Sequence, residues 1–338
     1  MGLFRLLLAA LVALSHTGLS VYGFNPGVVA VISFFLLSGF VMSMLIEKYY
    51  KQPSAIPTFY LDRAVRLFPQ FLFYMAIASV CIYFLNVESP FTAKMTITKW
   101  TLNFFILPQG FYMYWADGAL VIPQTWSLGL EFTFYLVIPL ILIYLSARQI
   151  YLLAAASFLI FLTAYFGKIN TDEFGYRLLP GTLFMFLIGW SFFKNDRESK
   201  IFRFLSFTVA GILLVFAYLN EGILQRSYNK EVLLGLLIGI LAISYMKHFS
   251  FSSIDEFLGN LSYGVFLNHF IVIWIMQKYY FATQFHLDSI AILLLSSCAL
   301  AFISYFYIER PALKWRHSIR TAAAHSKIVR SERAASVV

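Results

Sequence analysis

The sequence has few charged residues and few of the residues that bind metals or form disulfides. Only 12% of its 338 residues are charged, against about 25% in an average soluble domain. Its two cysteines, Cys81 and Cys298, lie within apolar stretches, so neither is placed for a disulfide or a metal site. The sequence also has no Cys/His metal spacing, P-loop, Gly-x-Ser-x-Gly elbow or dinucleotide fingerprint. We therefore expect no bound metal and no resident cofactor.

Apolar residues dominate instead, at 60% of the chain with 19% aromatic. Ten apolar runs have close to the 17–25 residues that a helix needs to cross a bilayer, although two are slightly short. We predict an all-α integral membrane protein, a bundle of about ten transmembrane helices in a domain of residues 1–315. A basic cytosolic tail, 316–338, is expected to follow without fixed structure. The runs are 3–21, 28–46, 67–86, 126–146, 150–167, 178–193, 203–220, 231–247, 257–277 and 288–308.

The distribution of positive charge predicts the orientation of the bundle. With both termini in the cytoplasm, 18 of the 25 Lys and Arg residues fall in inside segments and 7 in outside segments. This asymmetry is what the positive-inside rule requires. The net charge of +9 is therefore attributed to membrane topology, and no nucleic-acid partner is expected.

Three ionisable residues lie inside the predicted spans: His16, Glu131 and His269. From a rise of 1.5 Å per residue, each is estimated to lie about 8–12 Å below the outer end of its helix. Ionisable groups within a membrane cost free energy to insert and are functional candidates by default. We predict that His16 is a general base and that the Glu131 carboxylate orients its ring. The alternative is three unrelated buried groups that bond to local partners.

A second group of ionisable residues lies at the cytosolic side. Arg63 and Arg66 share one helix face just before the third run and form a fork suited to phosphates. Asp62 and Glu309 could neutralise or frame that fork, and an ordinary cluster of topology-setting arginines is the alternative. Arg5 lies eleven residues before His16 on the same face of the first run.

Small and polar residues within the runs have weaker interpretations. Ser38 and Gly39 occur at mid-depth in the second run, where small residues let helices approach closely, and packing is the favoured interpretation. Tyr263 and Asn268 are candidates for hydrogen bonds to a polar substrate.

Six motifs, taken in order over about 300 residues, resemble a known family. Together they are similar to acyltransferase family three, the bacterial ten-span membrane acyltransferases that include O-acetyltransferases of lipopolysaccharide, capsule and other surface glycans. The motifs are Arg5 with His16, FFLLSGF at 34–40, RAVR at 63–66 followed by Pro69, WSLGLEFTFYLVIPL at 126–140, LGNLSYGVFLNHF at 258–270 and IERP at 308–311.

The resemblance implies an O-acyltransferase in the bacterial inner membrane. It would move an acyl group, expected to be acetyl, from cytosolic acyl-CoA to a hydroxyl of an extracytoplasmic or lipid-linked carbohydrate. His16 and Glu131 are carried over as catalytic candidates. The resemblance makes Arg5, Arg63 and Arg66 acyl-donor or structural arginines; the expected pocket residues are Ser38, Trp126, Tyr263, Asn268 and His269. Because the chain ends about 25 residues after the last motif, a member without the additional soluble domain of some relatives is expected.

Two other classes of protein remain open from the sequence. A transporter or flippase could use the same buried ionisable residues to carry protons or bind a lipid-linked sugar or small molecule. Transporters often contain paired halves with matching broken helices, and the sequence contains no internal repeat. A structural membrane scaffold predicts instead that changes at His16 and Glu131 have no functional effect.

Overall fold

The computed structural model describes residues 1–85, 91–116, 118–250, 252–279 and 287–320, and their regular structure is helical. A single isolated bridge pairs Val21 with Phe24. In chain order, the first helices are α1 (Gly2–Ser15), α2 (Pro26–Tyr49), α3 (Ile56–Leu85), α4 (Ile97–Asn103), α5 (Ile106–Gln109), α6 (Tyr112–Trp115) and α7 (Thr125–Tyr144). They are followed by α8 (Ala147–Tyr165), α9 (Leu179–Lys194), α10 (Arg197–Leu219), α11 (Glu221–Leu224), α12 (Asn229–Met246), α13 (Ser253–Tyr279) and α14 (Leu287–Ser304).

Nine helices in the described part of the chain are long and apolar enough to cross a membrane. They correspond to nine of the ten predicted runs, and together they support a multi-pass membrane protein. The exception is the first run, predicted over 3–21, because α1 has only 14 residues. The chain leaves the helix after Ser15 and turns through Gly18 and Gly23, whose φ values of 83° and 75° are left-handed. The cytoplasmic placement of both termini stays a prediction.

The two ends of the helical domain also differ from the predicted boundaries. Helix α3 begins at Ile56, so Arg63 and Arg66 lie within it and not before it. After α14, a π-helix covers Tyr305–Glu309 and the helical conformation continues over 310–320, called here the terminal segment. The first five residues of the predicted tail 316–338 are thus helical, and 321–338 lie outside the described residues.

Helix α2 lies at the centre of the bundle and contacts α1, α7, α9 and α12. Its start is fixed locally, because the Asn25 side chain accepts hydrogen bonds from the backbone N–H groups of Gly27 and Val28. A Cβ atom at Gly39 of α2 would lie only 1.9 Å from the carbonyl oxygen of Phe186 in α9. The two backbones therefore approach as closely as small residues allow, as the sequence predicted for Ser38 and Gly39.

We expect Gly39→Ala to destabilise the protein by about 1–3 kcal/mol, because an added methyl group overpacks the contact between α2 and α9. The matched control is Gly211→Ala in α10, where a Cβ would meet no atom within 4 Å and helix propensity favours alanine. Thermal unfolding of both purified variants tests this. Equal midpoints for the two would contradict the packing role of Gly39.

Candidate active site

A cavity of about 570 Å³ lies between α1, α2, α3, α7, α13 and the terminal segment. Three carboxylates line it, those of Glu131, Asp255 and Glu256. Its walls contain twice as many cationic side chains, so the cavity is suited to an anionic ligand. The cationic residues are Arg5, Arg63, Arg66, Lys247, Arg316 and Arg320. Lys247 directly follows α12, and burial is the main cause that lowers its pKa from the usual value.

Asp62 holds three of these arginines together. Its carboxylate is fully buried and accepts hydrogen bonds from the Nε atoms of Arg63 at 2.8 Å, Arg316 at 3.2 Å and Arg320 at 2.8 Å. One carboxylate thus orders three guanidinium groups at the end of the cavity formed by α3 and the terminal segment. The predicted fork of Arg63 and Arg66 is therefore only part of a larger group.

Arg66 has a partner of its own. Its Nη1 atom donates to Glu309 Oε1, and its guanidinium lies 5.3 Å from the centre of the Tyr263 ring. Glu309 is only 2% exposed and ends the π-helix Tyr305–Glu309. Turns of π-helix are rare in proteins, and many of those that occur lie at functional sites. The Glu309 carboxylate thus neutralises one arm of the fork, as the sequence suggested.

Arg5 differs from the other arginines of the cavity. Its side chain forms no hydrogen bond with any described residue, although it lines the cavity. The start of α1 is fixed by Asp255 of α13, which accepts hydrogen bonds from the backbone N–H groups of Gly2 at 2.7 Å and Leu3 at 2.9 Å. Arg5 is thus held in place through its helix while its guanidinium stays available to a ligand.

The inner part of the cavity contains a cluster of three hydrogen-bonded side chains. Glu131 Oε1 accepts from the Ser38 hydroxyl at 2.6 Å and from the Tyr135 hydroxyl at 2.5 Å. All three residues line the cavity. Ser38 therefore does more than allow close packing. Tyr135 was missed in the sequence, although its position one turn after Glu131 places both on one helix face.

His16 and His269 form a pair next to the cavity. Their rings stack with centroids 5.4 Å apart and an interplanar angle of 14°. The ring centroid of Phe270 lies 4.6 Å from that of His16. His269 is fully buried, whereas His16, just after α1, is exposed. The Nδ1 atom of His269 lies 3.2 Å from the Val265 carbonyl oxygen, and its Nε2 atom has no hydrogen-bond partner among the described residues.

Phe266 lies against both the cavity and the histidine pair. Its side chain lines the cavity, and its ring centre lies 6.4 Å from that of His269. No hydrogen bond joins Glu131 to His16 in the described structure, since the carboxylate bonds to Ser38 and Tyr135 instead. Of the three residues predicted to lie at similar depth, His16 and His269 contact each other, whereas Glu131 forms no hydrogen bond with His16 in the described structure.

The remaining predicted pocket residues occupy different positions. Tyr263 lines the cavity, and its hydroxyl donates to the Leu67 carbonyl oxygen at 3.0 Å. Asn268 lies outside the cavity, and its amide donates to the Ser297 carbonyl oxygen at 2.9 Å. Trp126 also lies outside, with its ring 4.4 Å from the guanidinium of Arg177. Of the residues missed in the sequence, Arg316 and Arg320 were assigned to a disordered tail.

Comparison with known proteins gives a family and two informative relatives. The family model described as an acyltransferase domain (acyltransferase 3) matches residues 1–308. An uncharacterized protein of Aquifex aeolicus (strain VF5) is 33% identical over 206 residues, which are 59% of this chain and 90% of that protein. O-acetyltransferase OatA of Staphylococcus aureus (strain NCTC 8325 / PS 47) is 25% identical over 339 residues, covering 89% of this chain and 56% of OatA.

The chain therefore spans a little over half the length of the Staphylococcus aureus relatives that it matches. No solved structure matches it closely enough to count as a relative. The family model, in contrast, covers residues 1–308 of the 338 and includes four of the six cationic residues of the cavity, the Glu131 cluster and the histidine pair. The chain belongs to the acyltransferase 3 family and contains its acyltransferase domain.

Proposed function

We propose that this enzyme transfers an acyl group, acetyl by analogy with its named relative, from cytosolic acyl-CoA to a hydroxyl of an extracytoplasmic or lipid-linked carbohydrate. One observation carries the proposal. One cavity is lined both by a group of arginines and by Phe266, whose ring packs against His269 of the histidine pair. It offers a place for a phosphorylated carrier at one end and for a base at the other.

The donor would bind with its phosphates at the arginine end. Guanidinium groups are suited to phosphates, and those of Arg63 and Arg66 line the cavity while Asp62 and Glu309 hold one side of each. The pantetheine arm would then pass Arg5, Ser38 and Glu131, whose polar groups can bond to its amides. From Arg5 to His16 the helical rise is about 16 Å, a distance that an extended arm has to cover to bring the thioester to the base.

The transfer would take place at His16. The acceptor hydroxyl would give its proton to the imidazole and attack the thioester carbonyl carbon. Collapse of the tetrahedral intermediate would break the carbon–sulfur bond, and the CoA thiolate would leave and take up the proton. General-base catalysis of this kind contributes about 10²–10⁴ in rate. His269 supports the His16 ring by stacking against it.

Glu131 would orient His16 in the reactive conformation, after its carboxylate has left the hydroxyls of Ser38 and Tyr135. In that case Glu131→Gln and His16→Ala remove the same catalytic unit, and the double variant is expected to be no slower than His16→Ala alone. Initial rates of transfer for the two single variants and the double variant test this. If the rate losses of the two single variants multiply in the double variant, Glu131 acts independently of His16. Glu256→Gln, at another carboxylate that lines the cavity, is the control.

The direct test of the proposed function uses the full chain in proteoliposomes with acetyl-CoA labelled in the acetyl group. Addition of a surface-glycan fraction is expected to release free CoA and move the label to glycan hydroxyls, from which mild base removes it. Mass spectrometry of surface glycans from cells with and without the gene identifies the acceptor. Absence of both donor binding and label transfer would contradict the proposal.

A further inference from the structure

We propose that Arg316 and Arg320 of the terminal segment bind the phosphates of the donor's nucleotide portion, and that Asp62 positions them. The inference rests on the proposed acyl-CoA donor and names further residues of its site. Both arginines lie beyond residue 308, where the match to the family model ends. They therefore extend the site with residues that the family match does not include.

The geometry of the terminal segment is the first argument. Arg316 and Arg320 are four residues apart, so they share one face of the helix, and Leu313 on the same segment lines the cavity with them. The Arg316 and Arg320 side chains are only 16% and 21% exposed. Two long cationic side chains are thus held at the wall of a cavity, and they share one carboxylate, that of Asp62. Buried positive charge that exceeds the negative charge around it is unfavourable.

The hydrogen bonds of these arginines are the second argument. Arg316 donates only its Nε–H to Asp62, and its two Nη groups have no acceptor among the described residues. Arg320 donates Nε–H and Nη2–H to the same carboxylate, and the Tyr50 hydroxyl lies within reach of its guanidinium. Asp62 thus fixes the position of each guanidinium while several N–H donors remain available.

The balance of charge is the third argument. The single carboxylate of Asp62 faces three guanidinium groups, those of Arg63, Arg316 and Arg320. Glu309 is engaged with Arg66, and within the described part of the chain Arg63, Arg316 and Arg320 form ion pairs with no carboxylate other than Asp62, which leaves an excess of two positive charges in this group. A phosphate group at this position would accept hydrogen bonds from the unused Nη groups and neutralise the excess.

The alternative role for Arg316 and Arg320 is purely structural, as an ion-paired attachment of the terminal segment to α3. The two roles predict different substrate dependence. Phosphate binding predicts that their loss matters only for a donor that carries phosphates. Structural attachment predicts an equal effect on every donor, because the whole cavity wall would be disturbed.

The experiment compares acetyl-CoA with acetyl-pantetheine, which has the same thioester and arm but no phosphates. The variants are Arg316→Gln and Arg320→Gln, in full-length protein. Lys314→Gln is the matched control, because Lys314 lies on the same segment, is exposed and does not line the cavity. We expect each arginine variant to raise KM for acetyl-CoA about tenfold to a hundredfold, the range for lost hydrogen bonds to a charged group. Turnover of acetyl-pantetheine should be unchanged.

Each outcome has a definite meaning. An arginine variant whose KM for acetyl-CoA equals that of Lys314→Gln would overturn the inference. Equal losses with both donors would overturn it too, in favour of structural attachment. If the unmodified protein neither binds acetyl-CoA nor releases CoA from it, the proposed function fails, and that result is read from the wild type alone.

Discussion

His16→Ala is expected to lower the rate of acyl transfer about 10²–10⁴-fold, the usual contribution of a positioned general base. Binding of acetyl-CoA should stay close to normal, because His16 does not line the cavity that would hold the donor. Transfer rates and equilibrium binding of acetyl-CoA, measured on the same purified variant, test both parts. The control is His248→Ala, since His248 is exposed and lies after α12. Near-normal turnover with intact membrane insertion would remove His16 from the mechanism.

A second substitution separates the roles within the histidine pair. His269→Phe keeps an aromatic ring against His16 but removes both ring nitrogens, including the unpartnered Nε2 atom. If His269 only supports the His16 ring, this variant should keep most of its activity while His269→Ala loses it. If both are equally inactive, His269 itself exchanges a proton and the assignment of the base to His16 alone is wrong.

Arg66→Gln is expected to destabilise the protein by about 3–5 kcal/mol, the usual cost of breaking a buried ion pair from one side. Glu309 is 2% exposed, and its other carboxylate oxygen, Oε2, already has no hydrogen-bond partner among the described residues. Removing Arg66 therefore leaves the buried Glu309 charge without its described ion-pair partner. The midpoint of thermal unfolding in detergent measures the loss.

The double variant Arg66→Gln/Glu309→Gln tests the cause of that loss. Two neutral amides can bond to each other, so the double variant should regain much of the stability that Arg66→Gln loses. It should still bind acetyl-CoA more weakly than the wild type, because the guanidinium is missing. A double variant as unstable as Arg66→Gln would show that Arg66 stabilises the fold through other contacts.

Most of the helices could be predicted from the sequence because lipid-facing helices require long apolar runs, and nine such runs form helices. The errors occurred where charge or turns interrupted the pattern. Helix α3 starts before its apolar run and includes Arg63 and Arg66. Asp62 and Glu309 neutralise these arginines, and Glu309 is 243 residues away from Arg66 in sequence. Helix α1 ends early at the left-handed glycines that follow it.

The site was predictable in its components but only partly in its contacts. Counting residues along a helix gives the depth of His16, Glu131 and His269, but not the direction in which each side chain faces across the bundle. That direction depends on packing angles between helices, which no single-helix pattern contains. Arg316 and Arg320 were missed for another reason. A polar, basic stretch near a chain end has the composition of a disordered tail. Only the structure shows that a buried carboxylate on a distant helix, Asp62, binds its arginines.

The phenyl ring of Phe266 also bears on the integrity of the membrane. An uninterrupted aqueous channel from the arginines to the exposed imidazole would let protons and small ions flow down their gradients. If the cavity and the histidine pair open to opposite sides of the membrane, the ring of Phe266, which lines the cavity and packs against His269, is the aromatic plug that prevents this leak at rest. Under the proposed function, only the slim thioester end of the carrier has to displace the plug, while the bulky, charged nucleotide stays on its own side and keeps the opening filled.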